Sequence, residues 1–227
     1  MTTSNERSLA GSSDPAARTA GIILIASSVL AVLFMAHHPT AETHDAAALA
    51  ADIGGKASLS RLVHGALIAL IAVQLFAFTV FCRWVGAKRS AVGAGLVAYA
   101  IGTGAMIGAA LISGFVVSDL AAHYANEAAT ESQTFVDLLR LSMTGNQALA
   151  KLGVVAMSTA IVLWAFALFR ARRSPWIAII GLVAGLGPAI ALATGVIHLD
   201  VVGMLLVVIA QTVWNLSVGI LLVRATR

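Results

Sequence analysis

The chain of 227 residues is 59% hydrophobic and only 11% charged, where ordinary soluble domains carry about a quarter charged residues, and its mean hydropathy is +0.94. So little polar sequence cannot coat a water-soluble fold of this size, whereas lipid lets the outer face of each helix stay apolar. The net charge of +4 is no nucleic-acid signature, because the basic residues fall at the ends of apolar runs rather than in patches interleaved with aromatics. The single cysteine, Cys82, excludes an intrachain disulfide and any multi-thiolate metal site.

Residues 1–19 are small and polar and read as a disordered cytoplasmic tail. The apolar run over 20–36 follows. Its long lead-in and the lack of a small-x-small cleavage site after it favour an uncleaved first helix over a signal peptide. Five further runs, over 62–82, 91–118, 149–169, 175–197 and 201–223, are each long enough to cross roughly 30 Å of hydrocarbon at about 1.5 Å per residue. The expected fold is an all-α polytopic membrane bundle of six transmembrane helices, a single domain over 20–227. The loops after the second and fourth helices are short and basic (Arg83, Lys88 and Arg89; Arg170, Arg172 and Arg173), and Arg7, Arg18, Arg224 and Arg227 flank the first and last helices. Only Lys56, Arg61, Arg140 and Lys151 of the 14 basic residues fall on the other side. The basic side is expected to be cytoplasmic, with both termini there.

The two long outer loops carry helical patterns of their own. Residues 42–53 are alanine-rich and end at Gly54-Gly55. Residues 130–143 space Phe135, Leu138, Leu139 and Leu141 as an amphipathic segment lying on the membrane surface or over the bundle. Gly104-x-x-x-Gly108 and Gly181-x-x-x-Gly185 allow close helix approach, and Pro188 favours a kink. Trp84, Trp164, Trp176 and Trp214 read as interfacial anchors. Gln74, Gln211 and Asn215 read as interhelical hydrogen-bonding groups. The middle of the bundle has no acidic residue, which argues against a proton relay across the membrane.

Histidine carries the functional signal. His37, His38, His44, His64, His123 and His198 all map to the outer side, and five of them sit at helix ends. Asp119-x-x-x-His123 stacks a carboxylate and an imidazole on one helical face. With His38, His64 and His198 they make a candidate ligand set for zinc or another divalent ion, in which an open position would hold an activated water. Alternatively, two facing histidines would ligate haem iron. The competing explanation is structural: interfacial histidines, Asp119 paired with Arg61 or Lys151, and Lys151 snorkelling outward. No nucleotide-binding glycine loop, serine elbow or cysteine–histidine pairing is present.

In its juxtamembrane histidines the chain is loosely similar to membrane hydrolases of the ceramidase type, which build a zinc site from histidines and an aspartate at helix ends. Those have seven helices and a different motif spacing, so the resemblance implies no role for any residue here. The functional expectation is a protein of a bacterial inner membrane with a His/Asp metal or haem site at its periplasmic mouth, acting as a hydrolase or redox component. The alternatives are a small transporter or lipid-binding protein and a non-catalytic assembly partner. The expected partners are membrane lipids, further copies of the chain or a larger membrane complex, and not nucleic acid.

Overall fold

The structure is a computed structural model that describes residues 14–39, 46–86, 89–124 and 132–225. Of the tail expected over 1–19, residues 1–13 lie outside the described residues, as do Glu42, His44, Asp45, Lys88, Glu127 and Glu131. Helix α1 (Pro15–Ala36) begins earlier than hydropathy alone places it. The Asp14 carboxylate accepts the N–H groups of Ala16 and Ala17 at 3.0 and 3.4 Å, and Pro15 supplies a preset φ at the first helical position. Two helices follow in the first outer segment and beyond it, α2 (Ala46–Gly55) and α3 (Ala57–Val85). Then come α4 (Ser90–Leu111), a π-helical turn (Ile112–Val116) and α5 (Val117–Tyr124), which run on as one 35-residue stretch. The chain closes with α6 (Ser132–Arg170), α7 (Pro175–Ala193) and α8 (Val201–Arg224). Among the described residues there is no strand, and six helical stretches are long and apolar enough to cross a membrane.

Two boundaries differ from the hydropathy reading for identifiable reasons. The segment over 130–143, expected to lie on the membrane surface or over the bundle, is from Ser132 on the opening of the 39-residue α6; Thr130 and Glu131 lie outside the described residues. Gly145 is the one weak helix former at the junction and costs only about 1 kcal/mol, too little to break the helix. At the other extreme, α7 stops at Ala193 rather than at residue 197. Thr194 caps it and Gly195 takes a φ of +72°, the left-handed conformation that commonly ends helices. The Asp200 carboxylate then accepts the Gly203 N–H at 2.7 Å to start α8.

The six long helices form a closed ring in the order α1, α3, α4, α6, α7, α8, with α8 packing back on α1. Gly102 and Gly153 let α4 and α6 approach, Gly21 and Gly219 do the same for α1 and α8, and Gly181 and Gly185 seat α7 against Ala165, Trp214 and the Ser158 carbonyl. Gly104, half of the expected α4 packing pair, faces open space instead. Successive helices of the ring run antiparallel, so one end of the bundle gathers Arg18, Arg83, Arg89, Arg170, Arg173 and Arg224 and the other gathers the histidines. At the basic end Arg173 donates to the Trp84 carbonyl at 3.0 Å and its guanidinium lies 4.6 Å over the Trp84 ring, clasping the α6–α7 loop to the end of α3.

The interior is stratified. Toward the basic end, Phe78, Phe81, Tyr99, Trp164 and Trp214 fill the ring. Trp164 and Trp214 are each 0% exposed, so they are core residues rather than the interfacial anchors expected; Trp176, 76% exposed, and the half-buried Trp84 lie where anchors would. Trp164 stacks on Phe78 with centroids 4.7 Å apart and donates its indole N–H to the Val92 carbonyl at 3.2 Å. Across the middle lies a polar belt. The Ser28 hydroxyl accepts from Gln74 at 3.3 Å and from Asn215 at 3.0 Å, and the Tyr99 hydroxyl donates to Gln74 Oε1 at 3.3 Å. Four helices are thereby joined in a medium where an unpaired amide is costly.

Candidate functional site

Beyond the polar belt, toward the histidine end, the ring opens into a cavity of about 620 Å³. Leu67, Ile71, Met106, Ala109, Met204 and Val208 make its apolar walls, and His38, His64, Ser113, Asn146, Gln147, His198 and Asp200 supply its polar groups. Ile71 lies one helical turn before Gln74, so the cavity floor rests on the polar belt.

His64 is buried in α3, and its position depends on the π turn. A β-carbon at Gly114 would collide with the Cβ and Cγ of His64, so the imidazole occupies room that any other residue would fill. A π turn leaves backbone groups displaced from the α-helical ladder, and here the Ser118 hydroxyl donates to the Gly114 carbonyl at 2.9 Å. His38 follows the end of α1, its N–H bonded to the Met35 carbonyl at 3.2 Å. Burial lowers the pKa of the His38 imidazole below its ordinary 6.5, and the hydrogen bond to Pro39 opposes that only in part.

The two imidazoles meet through Nε2, at 3.1 Å. Their rings are nearly perpendicular, at 74°, with centroids 4.7 Å apart. His38 Nδ1 lies 2.9 Å from the Pro39 carbonyl oxygen, and His64 Nδ1 lies 2.8 Å from the Ser60 carbonyl oxygen. A carbonyl oxygen only accepts, so the carbonyl contacts favour a proton on each Nδ1, and each neutral ring then presents a lone pair at Nε2; the Ser60 hydroxyl, 3.4 Å from His64 Nδ1, serves the other tautomer, in which His64 Nε2–H donates to His38. Two lone pairs facing each other at 3.1 Å repel. The arrangement is satisfied by a cation between them, either a proton or a metal ion.

The other three expected ligands are placed differently. His198, on the turn between α7 and α8, lines the same cavity, as does Asp200, whose carboxylate is engaged as the α8 cap. Asp119 is ion-paired with Arg61 and 69% exposed, one of the two structural partners expected for it. His123 is exposed and lies edge-on to Tyr124 at 5.0 Å. The convergence of His38, His64, Asp119, His123 and His198 on one point is therefore not what the fold produces. The reason is helix length. Gly114 sits beside His64, and at about 1.5 Å per residue Asp119 and His123 are carried roughly 7 and 13 Å further along α5, past the cavity. Among the described residues no three His, Cys, Asp or Glu side chains come together as a metal site. Lys151 is exposed, as snorkelling predicts.

Sequence reasoning passed over Asn146 and Gln147 of α6. Asn146 donates to the Ala109 carbonyl at 2.7 Å and Gln147 to the Leu199 carbonyl at 2.8 Å, fastening α4 and the α7–α8 turn to the cavity wall. Two adjacent amides entering an apolar run were the available signal, since such groups in hydrocarbon need partners. No family model, curated protein or solved structure matches this chain.

Proposed function

We propose that this membrane bundle binds a transition-metal ion at the mouth of its cavity, with the Nε2 atoms of His38 and His64 as its two protein nitrogen ligands. The observation that carries the reading is the face-to-face Nε2 pair at 3.1 Å, with both Nδ1 atoms committed to carbonyl oxygens. Two nitrogens at about 2.0–2.1 Å from one tetrahedral ion stand roughly 3.3 Å apart, close to the spacing found. The Nδ1–H···O=C bonds are the outer contacts that fix tautomer and raise ligand basicity in metal-bound histidines. Ligation of haem iron from opposite faces needs about 4 Å between the nitrogens and rings pointing end to end. Centroids only 4.7 Å apart favour the bent, same-side arrangement.

The ion's remaining positions open into the cavity, where water or a small ligand completes the shell. An open position of that kind is the requirement for hydrolytic or redox chemistry at a metal. By the positive-inside rule the basic end faces the cytoplasm and the site opens to the opposite compartment. A second reading, binding of a small apolar molecule or lipid tail, is favoured by the largely apolar walls and by a volume of about 620 Å³, within the range of ligand pockets.

Metal content and equilibrium binding on the purified detergent-solubilised protein test the proposal. His38→Ala and His64→Ala are each expected to lower metal affinity by roughly two orders of magnitude or more, while Asp119→Ala and His123→Ala leave it within a factor of two or so. Retention of binding by both histidine variants, or a wild-type protein that takes up no transition metal, overturns it. A Soret band in the purified protein overturns the same-side geometry.

A further inference from the structure

Resting on that reading, we infer that the site selects a soft monovalent ion, copper(I), with methionine thioethers of the cavity wall completing the two-histidine set. The chain has six methionines, and four of them, Met35, Met106, Met143 and Met204, line this one cavity. They come from four different helices, α1, α4, α6 and α8. Leucine would fill the same apolar walls with better-defined rotamers; what methionine adds is a polarisable sulfur on an unbranched chain that reorients without moving the backbone.

The rest of the donor inventory points the same way. Hard cations need several oxygen ligands, yet the one carboxylate on the wall, Asp200, is engaged in capping α8. Structural zinc is usually held by four His, Cys or carboxylate side chains and catalytic zinc by three. Among the described residues no group of three is present. Copper(I) is content with fewer ligands, and thioether sulfur with imidazole nitrogen is a soft set that favours it. Met35 is 6% exposed and lines the same cavity as His38, so a thioether-bearing and an imidazole-bearing residue share one wall. Met106 packs its sulfur against Gly153 of α6, which leaves Met35, Met143 and Met204 as the assigned thioethers.

The test is anaerobic titration of the full chain in detergent with copper(I), read by competition with a chromogenic copper(I) chelator, beside a zinc(II) titration. One copper(I) is expected per chain, bound roughly a hundredfold or more tighter than zinc(II). The triple variant Met35→Leu, Met143→Leu, Met204→Leu is expected to weaken copper(I) by about tenfold or more and to change zinc(II) by no more than about twofold. X-ray absorption on the copper(I)-loaded wild-type protein supplies a measurement independent of how the variant folds, with sulfur scatterers expected beside nitrogen in the first shell. Zinc(II) binding as tight as copper(I), or a first shell without sulfur, overturns the copper assignment and leaves the histidine pair standing. Binding of neither ion by the wild-type protein overturns both.

Discussion

The imidazole of His64 takes its place because residue 114 has no side chain. Gly114→Ala introduces a methyl group where the His64 ring root lies, so either the ring or the π turn must shift. The expected result is a loss of metal affinity of about tenfold or more with a stability cost near 1–3 kcal/mol; affinity titrations paired with thermal melts separate the two effects. Unchanged affinity would show that the π turn does not aim the ligand. Under the proposed metal site His38 and His64 share one ion, so their alanine substitutions should be strongly non-additive in affinity, the double variant binding about as weakly as either single one. At this scale the sequence was partly readable. Juxtamembrane clustering singled out His38, His64 and His198, and all three line one cavity. It gave no means of ranking them against Asp119 and His123. Spacing along one helix fixes a shared face, but which face meets the bundle depends on packing against α3 and on how far α5 projects beyond it.

The elements show the same division between what hydropathy reports and what hydrogen bonding decides. Six apolar runs identify six spans, because lipid admits helices whose backbone bonds are internally satisfied. Hydropathy is blind to where a helix goes on after it leaves the hydrocarbon, which is why α6 starts at Ser132 and α1 at Pro15. The π turn has no compositional signature at all. The amides of Gln74 and Asn215 were legible as interhelical donors, and the belt they form joins α1, α3, α4 and α8 through Ser28 and Tyr99. Asn215→Ala is expected to cost about 0.6 kcal/mol, and at most about 1.7, as for such bonds between membrane helices, in a reversible unfolding titration in mixed micelles. Trp164→Ala, which empties the centre of the aromatic cluster, is expected to cost about 3–5 kcal/mol in the same assay. A larger effect for Asn215 than for Trp164 would mean that the belt, and not the aromatic packing, dominates the bundle.

For the whole molecule, orientation in the bilayer follows from the charge asymmetry of its two ends, and the protein is well suited to its measurement. Cys82, its single cysteine, is 3% exposed, so thiol labelling starts from a silent background. Ser58 and Ser90 are both exposed and lie at opposite ends of the bundle. In intact bacterial cells a membrane-impermeant maleimide is expected to modify Ser58→Cys, and to modify Ser90→Cys only after permeabilisation. The opposite pattern would invert the molecule and move the histidine pair to the cytoplasmic face.

The tryptophan-centred packing toward the basic end has a further consequence for traffic. Phe78, Phe81, Trp164 and Trp214 are all wholly excluded from solvent, so the chamber beneath the histidines is a vessel with a stopper rather than a conduit. In this conformation the aromatic plug closes the path from the chamber toward the basic end.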